Sequence, residues 1–377
     1  MDIGVPRPAS TRAPKLAGVP LLNSPAPAAP QPGRYQRSQS RLMPSPFFSV
    51  VVPTYNRARI VERCVDSCLA QSFADFELIV VDDHSTDDTV QALERYGDSR
   101  LRLVVHDRNR GISPSRHTGV VNASGEWIVI VDSDWELMPG ALSRLREIIE
   151  GLPEGVRVIR SRLVWDDGWI SPTFTPSATI GYEGRIRWAE AEGGHDATHC
   201  MHRSVFERTP FFADRKGAME SLYELDLAGT EMTLCVDDVL GKEHTDASNS
   251  WLRTAAADEL VPRLFSEAPD MLWMAETTLA RHGEALRRYG PRQHATMLRI
   301  ASMQAFLLGQ RAKGTRYALA VLRHRPLEPL AWITLALGLI GPRAVAQGTV
   351  AFRRLTAWRE RRRSAPLPPG GVRNGTI

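Results

Sequence analysis

Phe48-Ser49-Val50-Val51-Val52-Pro53-Thr54-Tyr55-Asn56 is the stretch that decides the fold. A β-branched run without polar alternation, ended by Pro53, predicts a strand covered on both faces. Ala58 to Gln71 follows, with Ile60, Val61, Cys64, Val65, Cys68 and Leu69 at helical spacing. Glu77-Leu78-Ile79-Val80-Val81-Asp82 is a second buried run. Ser85-Thr86-Asp87-Asp88 then caps a predicted helix from Asp87 to Tyr96. Leu101 to Val105 reads as a strand, Ile112 to Ala123 as a helix and Trp127 to Val131 as a fourth strand. Pro139 opens a further helix through Ile149, proline being favoured in a first turn. This alternation predicts an α/β fold with a doubly wound, mainly parallel sheet.

Outside that segment the composition shifts. Ten of the 26 prolines lie in residues 1–46, a stretch with too little apolar surface to offset its ordering entropy, so disorder is expected there. Residues 47–250 read as the α/β domain and 251–345 as an Ala-, Leu- and Arg-rich helical region. Residues 346–377 read as a basic, partly disordered tail. The net charge of +4 divides unevenly: residues 1–41 carry +5 and 342–377 carry +7, which leaves 42–341 at −8. A basic overall charge suggests nucleic acid, but an acidic body argues against that partner. Four cysteines exclude a disulfide scaffold and fit a reducing compartment. The N-terminus lacks a sustained apolar run, and Leu330 to Ile340 is shorter than the roughly 20 residues a membrane span needs. The expected location is therefore cytoplasmic.

In parallel sheets ligands bind beyond the carboxyl ends of the strands. Here those ends are Pro53-Thr54-Tyr55-Asn56, Asp82-Asp83, His106-Asp107-Arg108-Asn109 and Asp132-Ser133-Asp134. No GxGxxG follows a strand and no GxxxxGK[ST] occurs, so the glycine devices for cradling phosphates are missing. A crevice this acidic would hold a phosphate ester through a divalent cation, Mg²⁺ or Mn²⁺, both suited to carboxylate and phosphate oxygens. On an extended segment residues i and i+2 point the same way. Asp132 and Asp134 are thus expected to face one ligand, with Ser133 turned away.

Taken together, Ser49 to Arg57, Val80 to Thr89, Asn109-Arg110-Gly111 through Ala123-Ser124-Gly125-Glu126, and Asp132-Ser133-Asp134 resemble the inverting family-2 glycosyltransferases of GT-A fold, bacterial type. His84 stands where glycine is usual in that family. The resemblance covers about residues 47–250 and implies transfer of a sugar from a nucleoside-diphosphate sugar to a hydroxyl of a glycan or lipid-linked saccharide. It implies Asp134 as a metal ligand and Asp132 beside the ribose or metal. Asp83 would accept hydrogen bonds from the base, Asp82 would shape the loop, and Pro53 and Tyr55 would wall the base. Arg116 falls near the diphosphate. The general base is expected in the segment resembling Gly-Phe-Asp-Glu, here Phe211-Phe212-Ala213-Asp214, and the residues after it. Glu220 is that base in this reading, with Glu224 and Asp226 as competitors. His244 falls where the family places a metal or diphosphate ligand on a closing loop.

Other readings compete. His195, His199, Cys200 and His202 invite zinc, but the spacing lacks a second clustered pair. On a strand from Thr198 to Met201, His199 and Met201 would share one face, with Cys200 and His202 on the other. After Gly151 the aromatics Trp165, Trp169, Phe174, Tyr182 and Trp188 are scattered; Trp165, Trp169, Tyr182 and Trp188 lie where acceptor loops are expected, although aromatics so spaced are commonly core. A nucleotidyltransferase would want a Gly-rich loop after the first strand, and a degenerate sugar-nucleotide-binding module would lack the intact aspartates. Finally, the apolar helix around Leu330-Ala331-Trp332-Ile333, followed by Arg353, Arg354, Arg359, Arg361, Arg362 and Arg363, suggests peripheral contact with the inner face of the membrane. The alternative packs that helix on the catalytic domain and leaves the arginines solvated.

Overall fold

Strands buried on both faces can satisfy their backbone N–H and C=O groups only against neighbouring strands. In the computed structural model, β1 (Phe48–Thr54) lies between β2 (Phe76–Asp82) and β4 (Trp127–Ile130), and β3 (Leu101–Val105) adds outside β2, all parallel. The structure describes residues 45–172, 177–193, 197–217, 219–244 and 257–352, with side chains from 260 onward in the last stretch. Most of the Pro-rich segment, His195, Phe174 and the arginines from 353 on lie outside the described residues.

The period of two along each strand divides the core into two layers. Phe48, Val50 and Val52 of β1, with Leu78, Val80 and Val129, face α1 (Val61–Leu69), α2 (Thr89–Glu94) and α4 (Ala141–Glu150). Val51, Ile79, Val81, Ile128 and Ile130 face the other way, toward α3 (Ile112–Asn122), α6 (Val205–Arg208) and α7 (Glu220–Thr230). Helices therefore cover both faces, as the uninterrupted apolar runs require. Gly125 lets the chain cross the start of β1: a Cβ there would come within 2.6 Å of the Phe48 carbonyl carbon and the Ser49 nitrogen.

Two local expectations shift. The first strand does not end at Pro53 but runs through it to Thr54. Pairing with β4 has already stopped at Val51, whose carbonyl accepts from Val131, so the missing N–H of Pro53 leaves no partner unsatisfied. The second helix is shorter than expected. Its N-cap residue, Asp88, makes no side-chain capping bond, and Asp87 Oδ1 accepts the Thr89 N–H at 3.1 Å.

The region after Gly151, which shows no regular pattern in sequence, completes the sheet. It supplies β6 (Val158–Trp165), β7 (Ala178–Ile180), β8 (Thr198–His202) and β9 (Thr233–Glu243), joined by the short β5 (Trp135–Leu137). β8 lies antiparallel between β4 and β6, β6 pairs parallel with β9, and β5 and β7 flank β9. The full order is β3-β2-β1-β4-β8-β6-β9-β5, with β7 also on β9.

The C-terminal helices are α8 (Ala257–Tyr289), α9 (Pro291–Leu307), α10 (Arg311–His324) and α11 (Pro329–Ile340), followed by a helical stretch at 342–352. Met274 and Leu286 of α8 and Met297 of α9 share a cluster with Leu222 and Leu225 of α7 and with Ile186 of α5 (Tyr182–Glu192). The helical region is thus seated on the α/β part through α8 and α9. No helix among the described residues is long and apolar enough to cross a membrane.

Candidate active site

The ends of β1, β2 and β4 open on one side of the sheet. Asp132 follows β4, and its backbone oxygen accepts the Trp135 N–H at 2.9 Å. That bond closes a β-turn, so Asp132-Ser133-Asp134 is not the extended segment the sequence suggested. Ser133 is nonetheless buried while both aspartates reach solvent. The two carboxylates take different arginines. Arg116 Nη2, on α3, donates to Asp132 Oδ1 at 2.8 Å and Oδ2 at 3.0 Å. Arg57 Nη2 lies 3.5 Å from Asp134 Oδ2.

Arg116 also reaches across the site. Its Nη1 donates to Glu220 Oε1 at 3.4 Å, so one guanidinium joins the strand-end aspartate to the first residue of α7. Glu220 is 44% exposed and stands at a helix N-terminus, where a carboxylate is favoured by the unpaired N–H groups. Arg116, Asp132 and Glu220 line a cavity of about 710 Å³, whose opposite wall carries Arg292, Gln293, Thr296 and Met297 of α9.

Of the other carboxylates considered as a base, Glu224 lies one helical turn beyond Glu220 on the same face. It is held by His199 at 3.1 Å, Arg185 at 3.2 Å and Arg160 at 3.5 Å. Burial opposes its ionisation, yet His199, Arg185 and Arg160 outweigh that effect and hold its carboxyl well below the usual carboxylate range. A base so stabilised as the anion is a poor proton acceptor. Asp226 faces away, pairing with Arg281 at 2.6 Å and His282 at 2.9 Å on α8. Geometry therefore separates the three: Glu220 at the cavity mouth, Glu224 in its charged floor, and Asp226 in a contact between helices.

The Glu224 cluster makes a stability prediction. Glu224→Gln removes the charge that faces His199, Arg160 and Arg185 and should cost about 3–5 kcal/mol in denaturant unfolding. Because the folded carboxyl is shifted down, its contribution is fully present above the unfolded value, near pH 4.3, and is lost as pH falls through the folded value. The native chain should lose this part of its stability on acidification and the variant should not. Parallel acid titrations that superimpose would overturn this account.

The β1 and β2 ends are zipped together. Asn56 donates its N–H to Ser85 Oγ and accepts the Thr86 N–H at its Oδ1, both at 2.8 Å. Asn56 (φ 51) and His84 (φ 65) both adopt the left-handed region. This explains why glycine is usual at the second position, since it enters that region without strain. Asp82 accepts from the Ser85 N–H at 2.9 Å, which is turn-making. Asp83 is also engaged: it accepts from His106 Nδ1 at 2.8 Å and from the N–H groups of Arg110 and Gly111, both at 2.7 Å. Its first role is to hold the entry to α3. Pro53 is buried within β1, whereas Tyr55 is exposed just beyond it.

His244 reaches the site by its backbone, whose N–H donates to the Asp134 carbonyl at 3.1 Å. Its ring nitrogens are taken by carboxylates: Nε2 by Glu136, and Nδ1 by Asp166 at 2.8 Å. Both ring nitrogens are thus engaged by carboxylates, and the contact of His244 with the aspartate turn runs through its backbone. Among the described residues no group of three or more His, Cys, Asp and Glu converges to hold a metal without substrate. Asp132 and Asp134 offer hard oxygen donors at a mouth where diphosphate oxygens could complete a coordination shell, so these two residues fit Mg²⁺ or Mn²⁺.

The zinc alternative disperses as alternation predicted. His199 and Met201 line the cavity, Cys200 enters the core on the other face, and His202 packs on Trp127. The aromatics do not form one acceptor platform. Trp165 packs edge-on to Trp169, Tyr182 bonds His282 at 2.7 Å, and Trp188 lies beneath Arg160 and Arg185. Sequence reasoning missed Arg57, Arg160 and Arg185 as site residues. Arg57 had a signal, its place directly after the first strand end; the other two had none.

The sequence model described as Glycosyl transferase family 2 matches residues 49–208, from β1 through α6. The succinoglycan biosynthesis protein ExoO of Rhizobium meliloti (strain 1021) is 37% identical over 123 residues, 33% of this chain and 35% of that protein. A protein of Campylobacter jejuni subsp. jejuni named GalNAc(5)-diNAcBac-PP-undecaprenol beta-1,3-glucosyltransferase is 39% identical over 105 residues, 27% of this chain and 34% of its own. The chain thus spans about a third of the length of these curated relatives. Among solved structures, S. aureus TarS 1-349 in complex with UDP-GlcNAc superposes with a TM-score of 0.51 at 19% identity, covering 80% of this chain and 91% of that one. At that identity the likeness shows the fold alone, a GT-A sheet.

Proposed function

We propose that this chain, which belongs to glycosyltransferase family 2 through residues 49–208, moves a sugar from a nucleoside-diphosphate sugar to an acceptor hydroxyl with inversion. The observation that carries this reading is Arg116, which binds the Asp132 carboxylate and the Glu220 carboxylate at the mouth of one cavity. Glu220 takes the proton of the acceptor hydroxyl, whose oxygen attacks the anomeric carbon from the face opposite the diphosphate. The bond from that carbon to the diphosphate oxygen breaks, and the nucleoside diphosphate leaves with the electron pair.

Two arginines meet the leaving group. Arg116 is already placed between the donor and acceptor sides, and Arg57 has a buried Nη1 without a hydrogen-bond partner, available to an anion. Asp132 and Asp134 would hold Mn²⁺ or Mg²⁺, which when bound adds charge stabilisation for the departing diphosphate. For the base, Tyr55 offers an exposed ring beside Pro53. Asp83 has about four acceptor sites, of which three are engaged, and the remaining one can receive a base N–H.

The acceptor we propose is a saccharide entering between Glu220 and α9, in lipid-linked form. The name of the Campylobacter relative specifies a PP-undecaprenol saccharide, and an acceptor of that class would bring this chain to a membrane surface through its C-terminal region. The test is nucleotide release from a panel of nucleoside-diphosphate sugars with Mn²⁺, with and without saccharide acceptors. Acceptor-stimulated release from one donor is expected. Binding without release for every donor and acceptor would replace transfer by a binding role, and full activity in EDTA would remove the metal.

A further inference from the structure

We propose that the outward face of α11 docks on an anionic membrane surface. A helix on a water-exposed surface normally buries its large apolar side chains and shows polar ones. This helix is apolar on both sides. Its inner face seats buried Ala331 and Gly338 with half-buried Leu335 and Leu337 on the neighbouring helices. Gly338 packs so tightly on the Phe306 ring that a Cβ would come within 2.5 Å of it. The large residues Trp332, Ile333, Leu339 and Ile340 point outward, Ile340 with 71% of its surface exposed. With Ala336 between them they fall at the spacing of one helical stripe. The Trp332 indole N–H is satisfied by the Pro326 carbonyl at 2.8 Å, so the ring can enter an apolar phase without an orphaned donor.

Charge selects the occupant. From Arg311 to the C-terminus the sequence has thirteen Lys and Arg against only Glu328 and Glu360, whereas the whole chain is nearly balanced. Among the described residues, Arg311, Lys313, Arg316, Arg323, Arg325 and Arg343 flank α11 in sequence against Glu328, a balance that disfavours packing two copies face to face. An anionic lipid surface complements them. At 12 residues and about 1.5 Å per residue α11 is too short to span a bilayer, so it would lie in the interface. One face of α9 carries Thr296 and Met297 into the cavity, while Ala295 and Leu298 pack with Ala331 of α11. Docking therefore places the cavity one helix away from the membrane. Delivery of a lipid-linked acceptor rests on the proposed transfer reaction; docking itself does not.

The experiment is co-sedimentation of the full chain with phosphatidylglycerol-containing vesicles and with pure phosphatidylcholine vesicles, at low and high salt. Binding to the anionic vesicles is expected, weakened by salt, and nearly absent with the neutral ones. Ile333→Glu with Leu339→Glu should weaken it about tenfold or more. Ile340→Glu, at the most exposed position of the stripe, gives the same reading with little risk to folding. No sedimentation, equal binding to neutral vesicles, or binding indifferent to Ile340→Glu would overturn the proposal. So would a lipid-free dimer that Ile340→Glu dissolves, which would assign the face to a second copy. Donor-dependent nucleotide release measured without lipid separates a failure of docking from a failure of the transfer reading.

Discussion

Glu220→Gln should lower turnover about 10²–10⁴-fold, the range for loss of a positioned general base, with donor affinity nearly unchanged. The amide keeps the size of the side chain and can still meet Arg116, which lies 3.4 Å from Glu220 Oε1. It cannot accept the acceptor proton. Two neighbours serve as contrasts. Asp226→Asn removes a partner of Arg281 and His282 and should appear in thermal stability rather than in turnover. Glu224→Gln disturbs the buried cluster and should appear in denaturant unfolding. An active Glu220→Gln beside an inactive, well-folded Asp226→Asn would move the base to Asp226.

Asp134→Ala tests the donor side. The carboxylate pairs with Arg57 at 3.5 Å at a partly exposed position, so its removal should leave the fold intact. Charge stabilisation by a held cation is worth several kcal/mol, and at 1.36 kcal/mol per decade the loss of transfer should be about 10²–10³-fold. Direct titration of nucleotide should also lose its tightening by Mn²⁺, a readout that does not depend on catalysis. Retained Mn²⁺-dependent tightening in Asp134→Ala would exclude Asp134 as the ligand. With Arg57 beside it, Asp134→Ala should still bind nucleotide in the absence of metal.

Of the two substituted carboxylates, Glu220 meets Arg116 and Asp134 meets Arg57. The single guanidinium of Arg116 contacts Asp132 on the strand-end side and Glu220 on the helix side. A donor diphosphate entering the mouth would meet the Nη2 side of that guanidinium, beside Asp132.

What the amino-acid sequence determined by itself is the first half of the sheet. Unbroken apolar runs such as Val50-Val51-Val52 and Leu78-Ile79-Val80-Val81 demand cover on both faces, and the helical periodicity between them leaves a parallel α/β arrangement as the consistent answer. The strand ends follow from that topology, so Asp82, Asp83, Asp132 and Asp134 could be located without coordinates. Tertiary structure decided the rest, because the remaining contacts join residues with no local signature. β8, Thr-His-Cys-Met-His, is half polar and becomes a strand by fitting between β4 and β6. Asp83 shows the same limit at the site: its sequence position marks a ligand-facing end, but only the fold brings the Arg110 and Gly111 N–H groups onto its oxygens. The base was legible as a short list. Glu220, Glu224 and Asp226 lie within two turns of one helix, and a rotation of 100° per residue sends them to a cavity mouth, a nest of arginines and a neighbouring helix. Their chemistry differs because a carboxylate's proton affinity is set by the charges packed around it, and those charges come from residues 25 to 104 positions distant.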